Sequence, residues 1–187
     1  AAAVAANQAP VINNQTRSVA ENTANGTTVG APVTASDPDA GQTLSYAITG
    51  GNAAGKFAIN PSTGQLTVAG ALDFETTSAY ALTVAVTDNA ATPATSSATV
   101  TVSVTDVNEA PVATNDALTV AEDAAATVVN VLANDTDPDA GTTLTVTAVT
   151  QPATGGTATL TGGVVRFTPA ANFNGSTSFT YSLSDGA

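Results

Sequence analysis

A block of sequence returns after about 100 residues, and this internal repeat constrains the chain more than any single motif. Asn7–Val11 reads Asn-Gln-Ala-Pro-Val and Asn108–Val112 reads Asn-Glu-Ala-Pro-Val. Val19–Asn22 returns as Val120–Asp123, and Ser36–Gly41 as Thr136–Gly141. Asp88 has its counterpart near Asp185. The chain of 187 residues is therefore expected to hold two copies of one unit, residues 9–108 and 109–187, with almost no linker. Residues 1–8 are left as the tail of a preceding repeat or a linker.

Each copy reads as strands. Tyr80, Leu82, Val84 and Val86 alternate with Ala81, Thr83 and Ala85, and Val100, Val102 and Val104 alternate with Thr and Ser. Period-2 alternation with one apolar face describes a half-buried antiparallel strand. Shorter candidates are Val29–Ser36, Leu44–Thr49, Phe57–Asn60, Gln65–Val68 and a strand after Pro10. Such a run of short strands, with turn residues between them, predicts an immunoglobulin-like Greek-key β-sandwich. In the second copy Leu144–Val149, Thr157–Leu160, Val164–Thr168 and Ser178–Ser182 match. Nothing after Asp185 corresponds to the Val100/Val102/Val104 strand, so the second sandwich is expected to lack its last strand. The sequence reads as a window cut from a longer array.

Composition excludes several functions. There is no His and no Cys, so neither Ser-His nor Cys-His catalysis nor an ordinary zinc site can be built. Arg17, Lys56 and Arg166 are the only cations in a chain of net charge -12. They cannot neutralise a row of phosphates or an anionic lipid surface, so neither nucleic acid nor direct membrane insertion is expected. No apolar stretch approaches the length of a membrane span. Trp, the usual platform for a sugar ring, is absent. The chain is not expected to be an enzyme.

The carboxylates are clustered. All of them except Asp116, Asp123 and Asp135 fall inside the repeated motifs or their partners, and those three read as solvated loop residues. The clustered set sits in turns and at strand ends, as Asp-X-Asp (Asp37 and Asp39, Asp137 and Asp139), Asp-X-Glu (Asp73 and Glu75) and Asp-X-Asn-Glu (Asp106, Asn108 and Glu109). Oxygen ligands crowded at this spacing suit a hard cation. Calcium takes six to eight such oxygens; magnesium, stricter in geometry, is the second choice.

These motifs carry a resemblance. Ala20-Glu21-Asn22, Asp37-Pro38-Asp39, Leu72-Asp73-Phe74-Glu75, Thr87-Asp88 and Asp106-Val107-Asn108-Glu109-Ala110-Pro111 make the first copy resemble a cadherin repeat in its bacterial form. The second copy resembles the cadherin-like or Ig-like repeats of large bacterial surface adhesins, with Asp137-Pro138-Asp139, Phe167-Thr168-Pro169, Asn172-Phe173-Asn174-Gly175 and Ser184-Asp185-Gly186. It lacks the Asp-X-Glu motif.

The resemblance implies calcium between successive repeats. The first copy would supply Glu21, Asp73, Glu75, Asp106, Asn108 and Glu109, with the carbonyls of Val107 and Ala110. The second would supply Asp137, Asp139 and Asp185. Glu109 stands where animal members often have Asp, and its longer side chain changes the geometry around one ion. Asn7, Asp37, Asp39 and Asp88 would face a preceding repeat and bind weakly alone, and Glu122 would face a following one. The implied function is a calcium-rigidified adhesion or spacer module at a bacterial cell surface, its partners being neighbouring repeats. Alternatives are a filament subunit completed by strand donation from residues 1–8, through homotypic self-association, and a module that binds a cell-surface glycan.

Overall fold

Alternating Val and Thr over residues 79–105 build the longest hairpin of the chain. In this computed structural model, which describes residues 6–187, no helix occurs among the described residues. The chain divides into two units, Ala1–Val107 and Asn108–Ala187.

The first unit contains β1 (Val11–Ile12), β2 (Gln15–Ala20), β3 (Ala35–Ser36), β4 (Ser45–Gly50), β5 (Phe57–Ile59), β6 (Leu66–Val68), β7 (Ala79–Thr87) and β8 (Thr95–Thr105). One sheet has the order β2-β8-β7-β4. β7 and β8 are antiparallel, with Leu82 opposite Val100 and Tyr80 opposite Val102. β2 runs parallel to β8, from Gln15 opposite Val100 to Ala20 opposite Thr105. β1–β3 and β5–β6 form the remaining pairs. Between these layers lie Leu66, Leu82, Val84, Val100 and Val102, all with no exposed surface, and Phe57 meets Tyr80 edge to face. The alternating apolar side chains of β7 and β8 are the centre of this core.

Val29–Ser36 is not one strand: only Ala35 and Ser36 pair in a strand, with β1. Gly30 has a φ of 60°, and the Arg17 guanidinium takes the carbonyls of Ala31 (2.7 Å) and Pro32 (2.8 Å). Val29 and Val33 donate their N–H groups to the carbonyls of Leu66 and Gly64, both at 2.9 Å, and between them the Arg17 side chain takes the two carbonyls that no strand reaches.

The second unit contains β9 (Thr127–Val129), β10 (Thr145–Val149), β11 (Gly156–Thr161), β12 (Val164–Pro169) and β13 (Tyr181–Ser184). β12 lies between β11 and β9, and β10 pairs with β13. Val129, Val131, Val146, Val165 and Phe167 form its core, a smaller set than in the first unit. The strand expected at Ser178–Ser182 begins at Tyr181. Just before it, the Thr150 N–H still donates to the Thr180 carbonyl (2.8 Å), but the Thr180 N–H donates to the Thr150 hydroxyl (2.8 Å), so a side chain takes one of the two bonds of that pair. The expectation for residues 1–8 lies, in its first five positions, outside the described residues.

Candidate metal site

Burying a carboxylate is costly unless its oxygens receive hydrogen bonds. Glu21, at the end of β2, is only 2 % exposed. Its Oε2 accepts from the Phe74 N–H at 2.7 Å and its Oε1 from the Val107 N–H at 2.8 Å. Its own N–H donates to the Thr105 carbonyl. One side chain therefore ties together the end of β2, the 72–75 turn and the last residues of the first unit. Asn22 turns the chain there with a φ of 55°, a conformation Asn tolerates.

In the 72–75 turn, Leu72 is buried and Phe74 packs against the core, while Asp73 and Glu75 are exposed. Asp73 Oδ1 accepts from the Thr76 N–H and Oδ2 from the Thr76 hydroxyl, both at 2.8 Å. The hydroxyl bond is the main reason its carboxyl sits below the usual carboxylate range. Glu75 carries an oxygen within 4.8 Å of one on Glu21 and of one on Asp106. Glu21, Asp73, Glu75 and Asp106 thus occupy one end of this unit.

The opposite end of the first unit and the Asn108 end of the second are built alike. Asn7 Nδ2 donates to Asp88 Oδ2 at 2.9 Å, and Asn108 Nδ2 to Asp185 Oδ2 at 2.8 Å. The Gln8 N–H donates to Asp39 Oδ2 at 2.7 Å, and the Glu109 N–H to Asp139 Oδ2 at 2.8 Å. The Asp39 N–H meets Asp37 Oδ1 at 2.8 Å, as the Asp139 N–H meets Asp137 Oδ1. In each unit the second oxygen of the first Asp, Asp37 Oδ2 or Asp137 Oδ2, is buried and accepts nothing, as is Asp139 Oδ1. A carboxylate oxygen withdrawn from water with no donor is an orphan that a cation would satisfy. The donors are all hard oxygens, so the set fits calcium better than any soft metal.

Hydrogen bonds from Asn7 and Asn108 are the leading cause of lowered pKa values at Asp88 and Asp185, respectively. Asp88 is 4 % exposed and also accepts from the N–H groups of Ala90 and Ala94.

Residues 15–105 match the family profile "Cadherin domain", and residues 108–187 match "Bacterial Ig domain". The first unit is a cadherin domain and the second a bacterial Ig domain. Both belong to adhesion-type, non-enzymatic families of extracellular character. Neural-cadherin of Drosophila melanogaster is 49% identical over 57 residues, 30% of this chain. Protocadherin Fat 4 of Mus musculus is 44% identical over 81 residues, 42% of this chain. The matched stretch is only 2% of either relative's length. Among solved structures, mouse Cadherin-23 EC22-24 has a TM-score of 0.63 at 29% identity, over 90% of this chain and 56% of that one. The protocadherin GammaB4 extracellular domain has a TM-score of 0.58 at 22% identity, over 94% of this chain and 34% of that one, and shares the fold.

In the cadherin domain, Glu21, Asp73, Glu75, Asp106 and Val107 come together at one end, and Asn7, Asp37, Asp39 and Asp88 at the other. In the Ig domain, Asn108, Glu109, Asp137, Asp139 and Asp185 share one hydrogen-bonded framework; Ala110 is exposed beside it. Glu122, the counterpart of Glu21, is exposed. Its neighbour Asp123 accepts from the Asn172 N–H at 2.9 Å instead. Asp123 and Asp135 are not merely solvated loop residues. Asp135 Oδ1 accepts from the Thr114 N–H at 2.7 Å and from the Tyr181 hydroxyl at 3.0 Å. That hydroxyl also donates towards the Val131 carbonyl. Burial, then the bond and charge of Asp135, raise the pKa of Tyr181 above its ordinary value.

Sequence reasoning missed Thr76, which clamps both oxygens of Asp73. The signal was an Asp followed three residues on by Thr, with side chain and backbone closing a small ring. The roles of the Gln8 and Glu109 backbone N–H groups carry no side-chain signal.

Proposed function

We propose that this chain is a calcium-rigidified structural or adhesion module of a bacterial surface protein, with calcium held where the two domains join. The observation that carries the reading is the buried Glu21 carboxylate, bonded to the N–H groups of Phe74 and Val107. It fixes the acidic end of the cadherin domain at the residue after which the Ig domain begins. The segment Asp106-Val107-Asn108-Glu109 is covalently continuous across that boundary, so the carboxylates of both domains are tethered to it.

In this reading Glu21, Asp73, Glu75, Asp106, Glu109, Asp137, Asp139 and Asp185 contribute carboxylate oxygens. Asn108 contributes its amide oxygen, and Val107 and Ala110 their carbonyls. Calcium supplies positive charge that these groups need and the protein lacks. Without it, eight carboxylates repel one another and the two domains swing about the Val107–Asn108 peptide; with it, the joint is stiff. The Asn7, Asp37, Asp39 and Asp88 framework serves a preceding repeat in the same manner, and the parent is a surface protein in which such repeats provide reach.

Thermal unfolding in millimolar calcium, and again in EDTA, tests the reading. A ligand bound only by the folded state at a hundred times its Kd stabilises by about 2.7 kcal/mol. Calcium should raise the midpoint by several degrees and magnesium by less. Equal midpoints in calcium and EDTA would overturn the proposal.

A further inference from the structure

We propose that Asn174 is a site of self-modification, where the chain converts its own asparagine to aspartate and isoaspartate, while the chemically equivalent Asn25 is protected. The usual oxidative lesions have nothing to act on, since the sequence has no Cys and no Met. Asparagine is the remaining labile type, and it reacts fastest before Gly, whose bare backbone hinders ring closure least. The chain has two Asn-Gly pairs, in Asn25-Gly26-Thr27 and in Asn174-Gly175-Ser176. Both asparagines are exposed, so access does not separate them.

The reaction runs through a cyclic imide. The Gly amide nitrogen attacks the Asn Cγ, and an N–Cγ bond forms as the Cγ–Nδ2 bond breaks. Ammonia leaves, carrying the amide proton of the Gly. Water then opens the ring at either carbonyl. Attack at Cγ restores the main chain as aspartate; attack at the backbone carbonyl carbon leaves the main chain running through Cγ, as isoaspartate. The first step requires the Gly amide to give up its proton and the peptide plane to rotate towards the side chain.

At Asn25 the fold blocks both. The Gly26 N–H donates to the Val68 carbonyl at 2.7 Å, and the Val68 N–H donates to the Thr27 carbonyl at 2.9 Å. Thr28 bridges Thr67 beside them. These bonds hold the proton and fix the peptide plane. At Asn174 nothing does so: residues 174–176 make no hydrogen bond among the described residues. Anchors stand on either side of them. The Phe173 N–H donates to the Ala170 carbonyl at 3.1 Å, and the Thr177 hydroxyl to the Thr154 carbonyl at 2.6 Å. The Phe173 ring packs on Gly155, where a Cβ would stand 2.5 Å from its Cζ. Asn174 therefore reacts without any opening of the domain. The product adds a carboxylate to the Ig domain and, as isoaspartate, an extra main-chain carbon between two pinned ends.

The test keeps the whole chain folded at mildly alkaline pH, with a parallel sample in urea, and draws aliquots over weeks. Trypsin can cut only after Arg17, Lys56 and Arg166, so Asn25 falls in peptide 18–56 and Asn174 in peptide 167–187. Tandem mass spectrometry locates each exchange of amide for acid, and electron-transfer fragmentation separates isoaspartate from aspartate. In the folded chain Asn174 should convert at least about tenfold faster than Asn25, because Asn25 reacts only from opened molecules. In urea the two rates should converge. Equal rates in the folded chain, or faster conversion at Asn25, would overturn the proposal. So would a difference of the same size in urea, since it would come from neighbouring residues and not from the fold.

Discussion

The Asn108 amide donates to Asp185 Oδ2 at 2.8 Å, as the Asn7 amide does to Asp88 Oδ2 at 2.9 Å in the preceding domain. Both bonds join the first residue of a repeated motif to the Asp that directly follows a strand of the same repeat, β7 in one and β13 in the other. The pKa of Asp185 is lowered first by this bond, so its contribution to stability is present above the ordinary Asp pKa of about 3.9 and lost as pH falls through its folded value. N108A should move the Asp185 titration, read by carboxyl carbon NMR in EDTA, upward towards the ordinary value. An unmoved titration would mean that Asn108 does not hold this carboxylate.

Glu21 and Glu122 occupy equivalent places in the repeat, yet only Glu21 is buried. E21Q turns an acceptor into a donor opposite a backbone N–H, leaving buried donors face to face. It should cost the cadherin domain about 1–3 kcal/mol in urea unfolding. E122Q should change stability by no more than about 0.5 kcal/mol.

Asp137 Oδ2 is buried with no donor. D137N removes that charge while leaving an oxygen for the Asp139 N–H. In EDTA it should raise stability by about 0.5–1 kcal/mol, and in calcium titration calorimetry it should weaken binding at least about tenfold, since a lost ionic contact costs 1.4 kcal/mol or more. Opposite signs in the two solutions distinguish a cation ligand from a structural Asp.

Tyr181 is held protonated by burial and by Asp135. A folded pKa above the ordinary value of about 10 means that its stabilisation is intact below that pH and lost as pH rises beyond it. Alkaline unfolding of the Ig domain, followed by exchange at β11 and β12, should steepen above pH about 10. In Y181F that steepening should be reduced, and stability at neutral pH should fall by about 1 kcal/mol for the lost hydrogen bonds.

The β7–β8 hairpin is legible in sequence because Leu82, Val84, Val100 and Val102 fall on one face at period 2. β2 is harder to see because Gln15, Thr16, Arg17 and Ser18 are polar: it is an edge strand whose register comes from β8. The Val29–Ser36 stretch misleads because Val29 and Val33 are buried without a continuous strand: isolated backbone bonds to Leu66 and Gly64 hold them, and the Arg17 side chain takes the carbonyls of Ala31 and Pro32 between. The acidic motifs are legible as types at fixed spacings. What decides their burial lies elsewhere: Phe74 and Val107 offer backbone N–H groups to Glu21, while Glu122 has no Asp-X-Glu turn after it.

Sedimentation velocity of the whole chain in millimolar calcium and in EDTA reads the stiffness of the joint between the two domains. The chain should be a monomer in both, more extended and more homogeneous in calcium, with the difference reduced in D137N. An identical frictional ratio in calcium and EDTA would contradict calcium stiffening of the joint.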